Sequence, residues 1–183
     1  MDISENKGIE VSIRPININD TDNIVKWRNS DDVRFNLYSQ DLISPEQHKN
    51  YFKNFIETGR CIQFIIEMHH DDIIEDVGTI FLKDIDRNSK KAEFGIFIGE
   101  ASARGNGVAK KATIKILNFA FFEEQFNKVY LTLFADNIPA FRTYLSTGFR
   151  FEGVLREEYF NSTKYIDIIR MGITRADWLT FNR

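Results

Sequence analysis

Cysteine is all but missing from this chain: Cys61 stands alone among 183 residues, which excludes an internal disulfide and any multi-cysteine zinc site. Basic excess is also missing. Lysine and arginine number 24 against 27 aspartates and glutamates, giving a net charge of −3 and a pI near 5.7. With neither a basic face nor a polybasic run, a general nucleic-acid or membrane-surface binder is not expected. No apolar run is long enough to cross a bilayer, and the start, Met1-Asp2-Ile3-Ser4-Glu5-Asn6-Lys7, is polar with no apolar core. A soluble, cytoplasmic protein is the expectation. Internal repeats and low-complexity linkers are absent too.

What the chain does have is phenylalanine, seventeen residues of it, within hydrophobic and charged fractions of 43% and 28% that suit an ordinary globular protein. The length suits one domain with a substantial core. The expected organisation is a flexible start over residues 1–8 and a single domain over residues 9–183.

Ile9 to Arg14 alternates like a strand, and Pro15 ends it before Asn19-Asp20-Thr21-Asp22, a cluster of helix N-caps. A first helix is predicted from Asp22 to Asn29. Ser44-Pro45-Glu46-Gln47 combines a capping serine, proline at the first helical position and glutamine at the capping-box position, so a second helix should run to about Thr58. Cys61–Met68 and Asp76–Asp84 read as a hairpin around His69-His70-Asp71-Asp72 and a few further residues; Ala92–Ile98 follows as another strand. From Gly107 to about Glu124, Ala109, Ala112, Ile116 and Ala120 recur at helical spacing, with Lys111, Lys115 and Asn118 on another face. Lys128–Phe134 is short and nearly all apolar, which suits a buried strand reached by a helical crossover and parallel to its predecessor. Asn137-Ile138-Pro139-Ala140 opens another helix that Gly148 closes; Phe149–Phe160 and Lys164–Ile173 then read as two long strands.

Between the strand ending at Ile98 and the helix beginning at Gly107 lies Arg104-Gly105-Asn106-Gly107-Val108-Ala109. Two glycines let the backbone turn its N–H groups toward one point, and the helix adds unpaired amides and a positive dipole end. This is an anion cradle suited to a pyrophosphate. A Walker loop would need Lys then Ser or Thr after its last glycine, where this chain has Val108-Ala109-Lys110-Lys111. A dinucleotide fingerprint would need Gly or Ala at Lys110 and an acid at the end of the next strand; Glu123 and Glu124 fall beside the helix and Asp136 comes late.

Arg104-x-x-Gly107-x-Ala109 after a strand resembles the acetyl-CoA motif of the GNAT superfamily of N-acetyltransferases. Asn137-x-x-Ala140-x-x-x-Tyr144-x-x-x-Gly148-Phe149-x-x-Glu152-Gly153 resembles that superfamily's second cofactor segment, at the expected distance downstream. Trp27-Arg28-Asn29, Ala92-Glu93-Phe94-Gly95, Gly153-Val154-Leu155-Arg156-Glu157 and Tyr165-Ile166-Asp167 to Met171-Gly172-Ile173 are similar to the RimJ/RimL-type branch. The likeness covers roughly Val11 to Trp178. It implies an α/β (α+β) fold: a mixed, mostly antiparallel sheet of about seven strands with four helices. The Ala92–Ile98 and Lys128–Phe134 strands would form a splayed parallel pair that admits acyl-CoA, and no metal is implied.

Acetyl transfer to an amine needs a neutral amine, a site for oxyanion charge and a proton for the departing thiolate. Glu93, on the strand expected to line the gap, is the candidate base, acting through water; the alternative is a solvent-facing glutamate paired with Lys91 or a similar cation. By the resemblance, Tyr144 donates the proton to the thiolate, unless it is only a core aromatic. The resemblance likewise places the cofactor along Ile96, Phe97 and Ile98, with an amide of Phe97 or Ile98 toward the oxyanion. Gly105, Asn106, Gly107, Val108, Ala109 and Lys110 would meet the pyrophosphate with Arg104 or Lys110 adding charge, and Asn137 would meet the pantetheine arm. Trp27 reads as a wall or core aromatic. Arg28, Asn29 and His48 could form an acceptor pocket similar to that of enzymes acting on amino groups of nucleotide-linked sugars. A surface salt bridge for Arg28 and a helix-surface position for His48 are the alternatives, and a solvated turn is the reading of His69-His70-Asp71-Asp72.

The expected function is acetyl-CoA-dependent N-acetylation of a small-molecule amine, a nucleotide-linked amino sugar ahead of a protein N-terminal amine or a polyamine. A non-catalytic acyl-CoA sensor is the reading from a different class, and a monomer or homodimer is expected.

Overall fold

The computed structural model describes residues 8–181. The expected flexible start lies outside them except for Gly8. The alternation after Ile9 becomes strand β1 (Glu10–Pro15), and Asn17 caps a short 3₁₀ turn that leads into helix α1 (Thr21–Asn29). Ser44 forms the predicted capping box: its hydroxyl accepts from the Gln47 amide at 3.2 Å while the Gln47 side chain accepts from the Ser44 amide at 2.8 Å. A seven-stranded sheet follows in the order β1-β2-β3-β4-β5-β7-β6. Its further strands are β2 (Ile62–His70), β3 (Ile73–Asp86), β4 (Lys91–Ile98), β5 (Lys128–Phe134), β6 (Arg150–Phe160) and β7 (Tyr165–Thr174). Every neighbouring pair is antiparallel except β4 and β5, which a helical crossover joins in parallel, as the buried Lys128–Phe134 run implied.

Among the described residues six α-helices accompany the sheet rather than four. α2 (Asp31–Arg34) and α6 (Arg175–Phe181) join α1, α3 (Pro45–Tyr51), α4 (Val108–Asn118) and α5 (Ile138–Leu145). Four residues are too few to show a 3.6-residue period, which hides α2 from pattern reading. α6 carried a start signal in Thr174-x-x-Asp177: the Asp177 carboxylate accepts from the Thr174 amide at 3.1 Å and the Asp177 amide donates to Thr174 Oγ1 at 3.1 Å. The helices predicted from Pro45 and from Gly107 each end in a widened π turn, Phe52–Ile56 and Phe119–Glu123. The first hairpin turns more tightly than expected, because the strands run through His70 and Ile73 with Asp71 in the left-handed region at φ 53°.

Both faces of the sheet carry buried hydrophobic side chains. On one face Ala112, Ile116, Leu117 and Ala120 are fully buried with Ile66, Ile80, Leu82 and Val129, so the small residues of α4 do bring that helix close to the strands. On the other, Ile24, Trp27 and Phe52 pack on Ile65. β3 and β4 approach so closely at the end of β4 that a Cβ on Gly78 would lie 2.4 Å from the Phe97 carbonyl oxygen and 3.0 Å from Ile98 Cα. These are backbone atoms that cannot rotate aside. Gly78→Ala is therefore expected to destabilise the protein by about 1–3 kcal/mol, read as a lower urea midpoint at unchanged slope; an unchanged midpoint would mean the two strands separate freely there.

Candidate active site

β4 and β5 pair only through Lys91↔Lys128, Ala92↔Val129 and Glu93↔Tyr130. Beyond that point they part. β4 continues to Ile98 on β3, and β5 continues to Phe134 on β7. Alternate backbone amides along the free edge of β4 consequently face a gap instead of a strand. The gap is a cleft of about 760 Å³ whose lining includes Glu93, Ile96, Phe97, Ile98, Leu131, Thr132 and Tyr144. This is the splayed parallel pair that the resemblance implied.

The glycine loop lies at one end of the cleft. Gly105 and Gly107 adopt φ 78° and 74°, and Gly107 is the N-cap of α4, with no side chain capping the first amides of that helix. A Cβ on either glycine would meet nothing within 4 Å, so glycine is required there by backbone conformation, and the space beside it is open. Unpaired amides beside open space fit a diphosphate. Val108, Ala109 and Lys110 line the same wall. Of the two candidate cations, Arg104 is engaged: Nε and Nη2 donate to the Ile98 carbonyl at 3.3 and 3.1 Å, and Nη1 to Asp32 at 2.7 Å. Lys110 is exposed and forms no ion pair among the described residues, which leaves it for an anion. Asn106 does not line the cleft; its amide donates to the Ser102 carbonyl at 2.9 Å and holds the loop in shape.

Glu93 lies at the fork, its side chain 15% exposed, with Lys83 Nζ at 3.5 Å and the Thr132 hydroxyl donating at 3.3 Å. Its cation is thus Lys83, while Lys91 turns to Asp86 at 4.0 Å. Burial pushes the Glu93 carboxyl above its ordinary value against the pull of Lys83. Tyr144 packs edge-on to Phe94 at 5.7 Å and to Phe149 at 5.9 Å, yet it also lines the cleft. Both readings of Tyr144 meet in one side chain, since the ring is packed while the hydroxyl has no hydrogen-bond partner among the described residues. Burial pushes this phenol far above its ordinary value, so it is protonated at neutral pH.

The acceptor pocket expected from Trp27, Arg28, Asn29 and His48 is not assembled around the cleft. Trp27 is 1% exposed, packs on Gly99 and donates from Nε1 to Glu100 at 2.7 Å. Arg28 is half-buried and donates to the Ser39 carbonyl, which is neither the acceptor-pocket role nor the alternative surface salt bridge. Asn29 brackets the Ile43 backbone at 2.8 and 2.9 Å, tying down the chain that follows α2. His48, expected on a helix surface, is 4% exposed between α1 and α3 with Nδ1 3.0 Å from the Thr21 hydroxyl, because its helix turns that side toward α1. His69 and His70, expected in a solvated turn, are the last residues of β2: His69 Nε2 lies 2.6 Å from the Ser12 hydroxyl and His70 Nδ1 3.3 Å from Asp71.

A segment that sequence reading passed over crosses the cleft instead. Asp32 receives Arg104; Asn36 accepts from the Asn137 amide at 3.1 Å; and Tyr38 lines the cleft together with Thr132. Asn137 at the same time accepts from the Ala140 amide at 3.2 Å and so caps α5. Tyr38 joins Phe134 and Tyr159 in an aromatic cluster with ring centroids 5.0–5.7 Å apart, and the Tyr159 hydroxyl donates to the Tyr38 carbonyl at 2.9 Å. The available signal was the run of Val33, Phe35, Leu37 and Tyr38, more apolar than a solvated loop needs.

Residues 10–150 match the acetyltransferase (GNAT) domain. The chain is 25% identical over 170 residues to the spermidine N(1)-acetyltransferase of Vibrio cholerae, covering 93% of this chain and 96% of that one. It is 36% identical over 103 residues to the SPbeta prophage-derived uncharacterized N-acetyltransferase YokL of Bacillus subtilis, a match that spans just over half of each, 56% and 57%. The solved structure of the Vibrio cholerae spermidine N-acetyltransferase with CoA and spermine superposes with a TM-score of 0.84 at 24% identity, over 92% of this chain and 98% of that one, and carries the likeness of fold. The sequence and the splayed sheet lead to one conclusion: this chain belongs to the acetyltransferase (GNAT) family and is an amine N-acetyltransferase whose acetyl donor is acetyl-CoA.

Proposed function

We propose that the acceptor is a small cationic amine of the polyamine class, with Glu93 as general base and Tyr144 as general acid. The observation that carries this reading is the aromatic cluster of Tyr38, Phe134 and Tyr159 beside the Glu93 carboxylate, with Glu158 also acting on Tyr38. Aromatic faces next to carboxylates attract an ammonium. A full-length relative named for spermidine supports the same class. The nucleotide-linked amino sugar, ranked first on sequence, loses its main support because the Arg28 guanidinium is held by Ser39 and lies off the cleft.

Acetyl-CoA supplies a thioester-activated acetyl group; the rest falls to the chain. Gly105, Gly107 and the first amides of α4 take the diphosphate with Lys110, and Asn137 takes the pantetheine arm. The backbone of Ile96–Ile98 offers amides to the developing oxyanion. An alkyl ammonium titrates near ~10.4 and must lose a proton to react. Glu93 takes that proton through water, the amine nitrogen bonds the acetyl carbon and sheds its second proton to water, the carbon–sulfur bond breaks, and the Tyr144 hydroxyl protonates the sulfur and regains a proton from solvent.

Amine-dependent release of CoA thiol is expected with spermidine or spermine and not with amino sugars or N-terminal peptides; release with none of them would move the chain to the sensor class. Glu93 acts only when ionised, so kcat/KM should fall as pH drops through a value above the ordinary carboxylate range. Glu93→Gln should remove that limb and about 100-fold of the rate, whereas an intact limb would dismiss Glu93 as base. Tyr38→Ala should raise the spermidine KM by roughly 3- to 30-fold, the worth of one cation–π contact, while leaving the affinity for CoA unchanged in calorimetry. Gly107→Val must hold a β-branched residue at positive φ; CoA binding should weaken by about tenfold or more, and normal affinity in the folded variant would remove the cradle assignment.

A further inference from the structure

We infer that Lys83 and Thr132 are positioning residues that hold one oxygen of Glu93, and that Lys83 fixes the pH at which Glu93 becomes able to accept a proton. The inference rests on Glu93 as the base proposed above, but extends it to two residues outside the motifs. Lys83 and Glu93 are direct partners in the β3–β4 register, so their side chains emerge on the same face of the sheet. Thr132 reaches the same carboxylate from β5, on the other side of the fork.

Both partners meet the same atom. Lys83 Nζ lies 3.5 Å from Oε1, and the Thr132 hydroxyl donates to Oε1 at 3.3 Å. Oε2 has no partner among the described residues, which leaves it as the oxygen that takes a proton from the cleft. A carboxylate tethered at one oxygen by two strands cannot rotate freely, so its open lone pairs keep one direction. The ladder ends at Tyr130, two residues before Thr132, and this places a side chain from β5 on a β4 carboxylate across the opening.

The charge environment is mixed, and Lys83 is the cation within it that contacts the carboxylate. From β3, Asp84 opposes Lys83 and competes for its ammonium at 3.8 Å. From β5, Tyr130 and Thr132 face the fork, and Arg170 of β7 lies over the Tyr130 ring at 4.3 Å from its centroid. Tyr38 faces it from the crossing segment, with Glu158 of β6 beyond. Lys91 and Asp86 pair with each other at the foot of β4. Burial drives Glu93 toward its neutral form and Lys83 restrains that drive. The balance suits a base that must be ionised to work yet is more basic than an ordinary carboxylate. At 37% side-chain exposure Lys83 is too solvated for its ion pair to contribute much to stability, so stability is not the property to measure.

The test is a ¹³C-carboxyl NMR titration of Glu93, its resonance identified by loss in Glu93→Gln, on wild type, Lys83→Met, Lys83→Arg and Thr132→Val. It is run beside the pH dependence of kcat/KM with spermidine. In Lys83→Met the Glu93 midpoint should rise by about 1 unit, in Lys83→Arg it should return close to wild type, and the acid limb of kcat/KM should move with it. Thr132→Val should raise the midpoint less and lower kcat, as one tether is lost. A Glu93 midpoint unmoved by Lys83→Met overturns the inference even if Glu93→Gln shows that Glu93 is the base. A midpoint that moves while the acid limb stays in place upholds the tuning by Lys83 and overturns the base. Lys83→Gln, which keeps a polar end group, stands in should the methionine variant fail to fold.

Discussion

The parallel ladder between β4 and β5 lasts three residue pairs and then stops, and the chemistry of this protein depends on where it stops. Each strand past Tyr130 keeps its other neighbour, β3 or β7, so the sheet remains one body while a slot opens in its middle. A strand edge inside a sheet is a row of unpaired amides, ordinarily a liability. In the proposed reaction it serves as a surface for an extended arm and for an oxyanion. Glu93 occupies the last paired position, which fixes it at the closed end of the slot.

The slot is bridged by α2 and the residues after it. Asp32 takes the cation of the glycine loop, Asn36 takes the amide that caps α5, and Tyr38 reaches the β5 and β6 side. Trp27, Arg28 and Asn29 do not touch the cleft, but they anchor this bridge: Trp27 seats against Gly99 just beyond β4, while Arg28 and Asn29 bind the backbone at Ser39 and Ile43. Their contribution to the site is to fix the path of the chain that crosses it. His48 belongs to the same support, buried between α1 and α3 with its imidazole pushed below its ordinary value by that burial.

Legibility followed the range of the interactions concerned. Periodicity, the Ser44 capping box and the β-loop-α-β pattern are local, and the strands, the four longer helices and the parallel crossover could all be read from them. The glycine loop was legible for the same reason, since φ beyond +70° at two positions asks for glycine whatever surrounds it. α2 was not, being one turn long. Arg104 illustrates the limit: the motif offers its guanidinium to a phosphate, yet Asp32, 72 positions away, claims it. Arg28 and His48 looked like site residues because charged and titratable side chains are rare in cores, and only the packing of α1 against α3 and the following loop shows where they go.

By itself, then, the sequence determined the order of elements, the glycine turn at the mouth of α4, and two side chains, Glu93 and Tyr144, that suit the proposed base and acid on elements that flank one gap. Each of these is set by neighbours within a few residues, through backbone conformation, capping and side-chain period. Tertiary structure alone decided that Lys83, Thr132 and Tyr38 surround Glu93, that Arg104 is engaged while Lys110 is not, and that the WRN segment supports the site from outside. Those contacts join residues dozens of positions apart, and their distances depend on where a ladder ends and how helices cross, which no local pattern encodes.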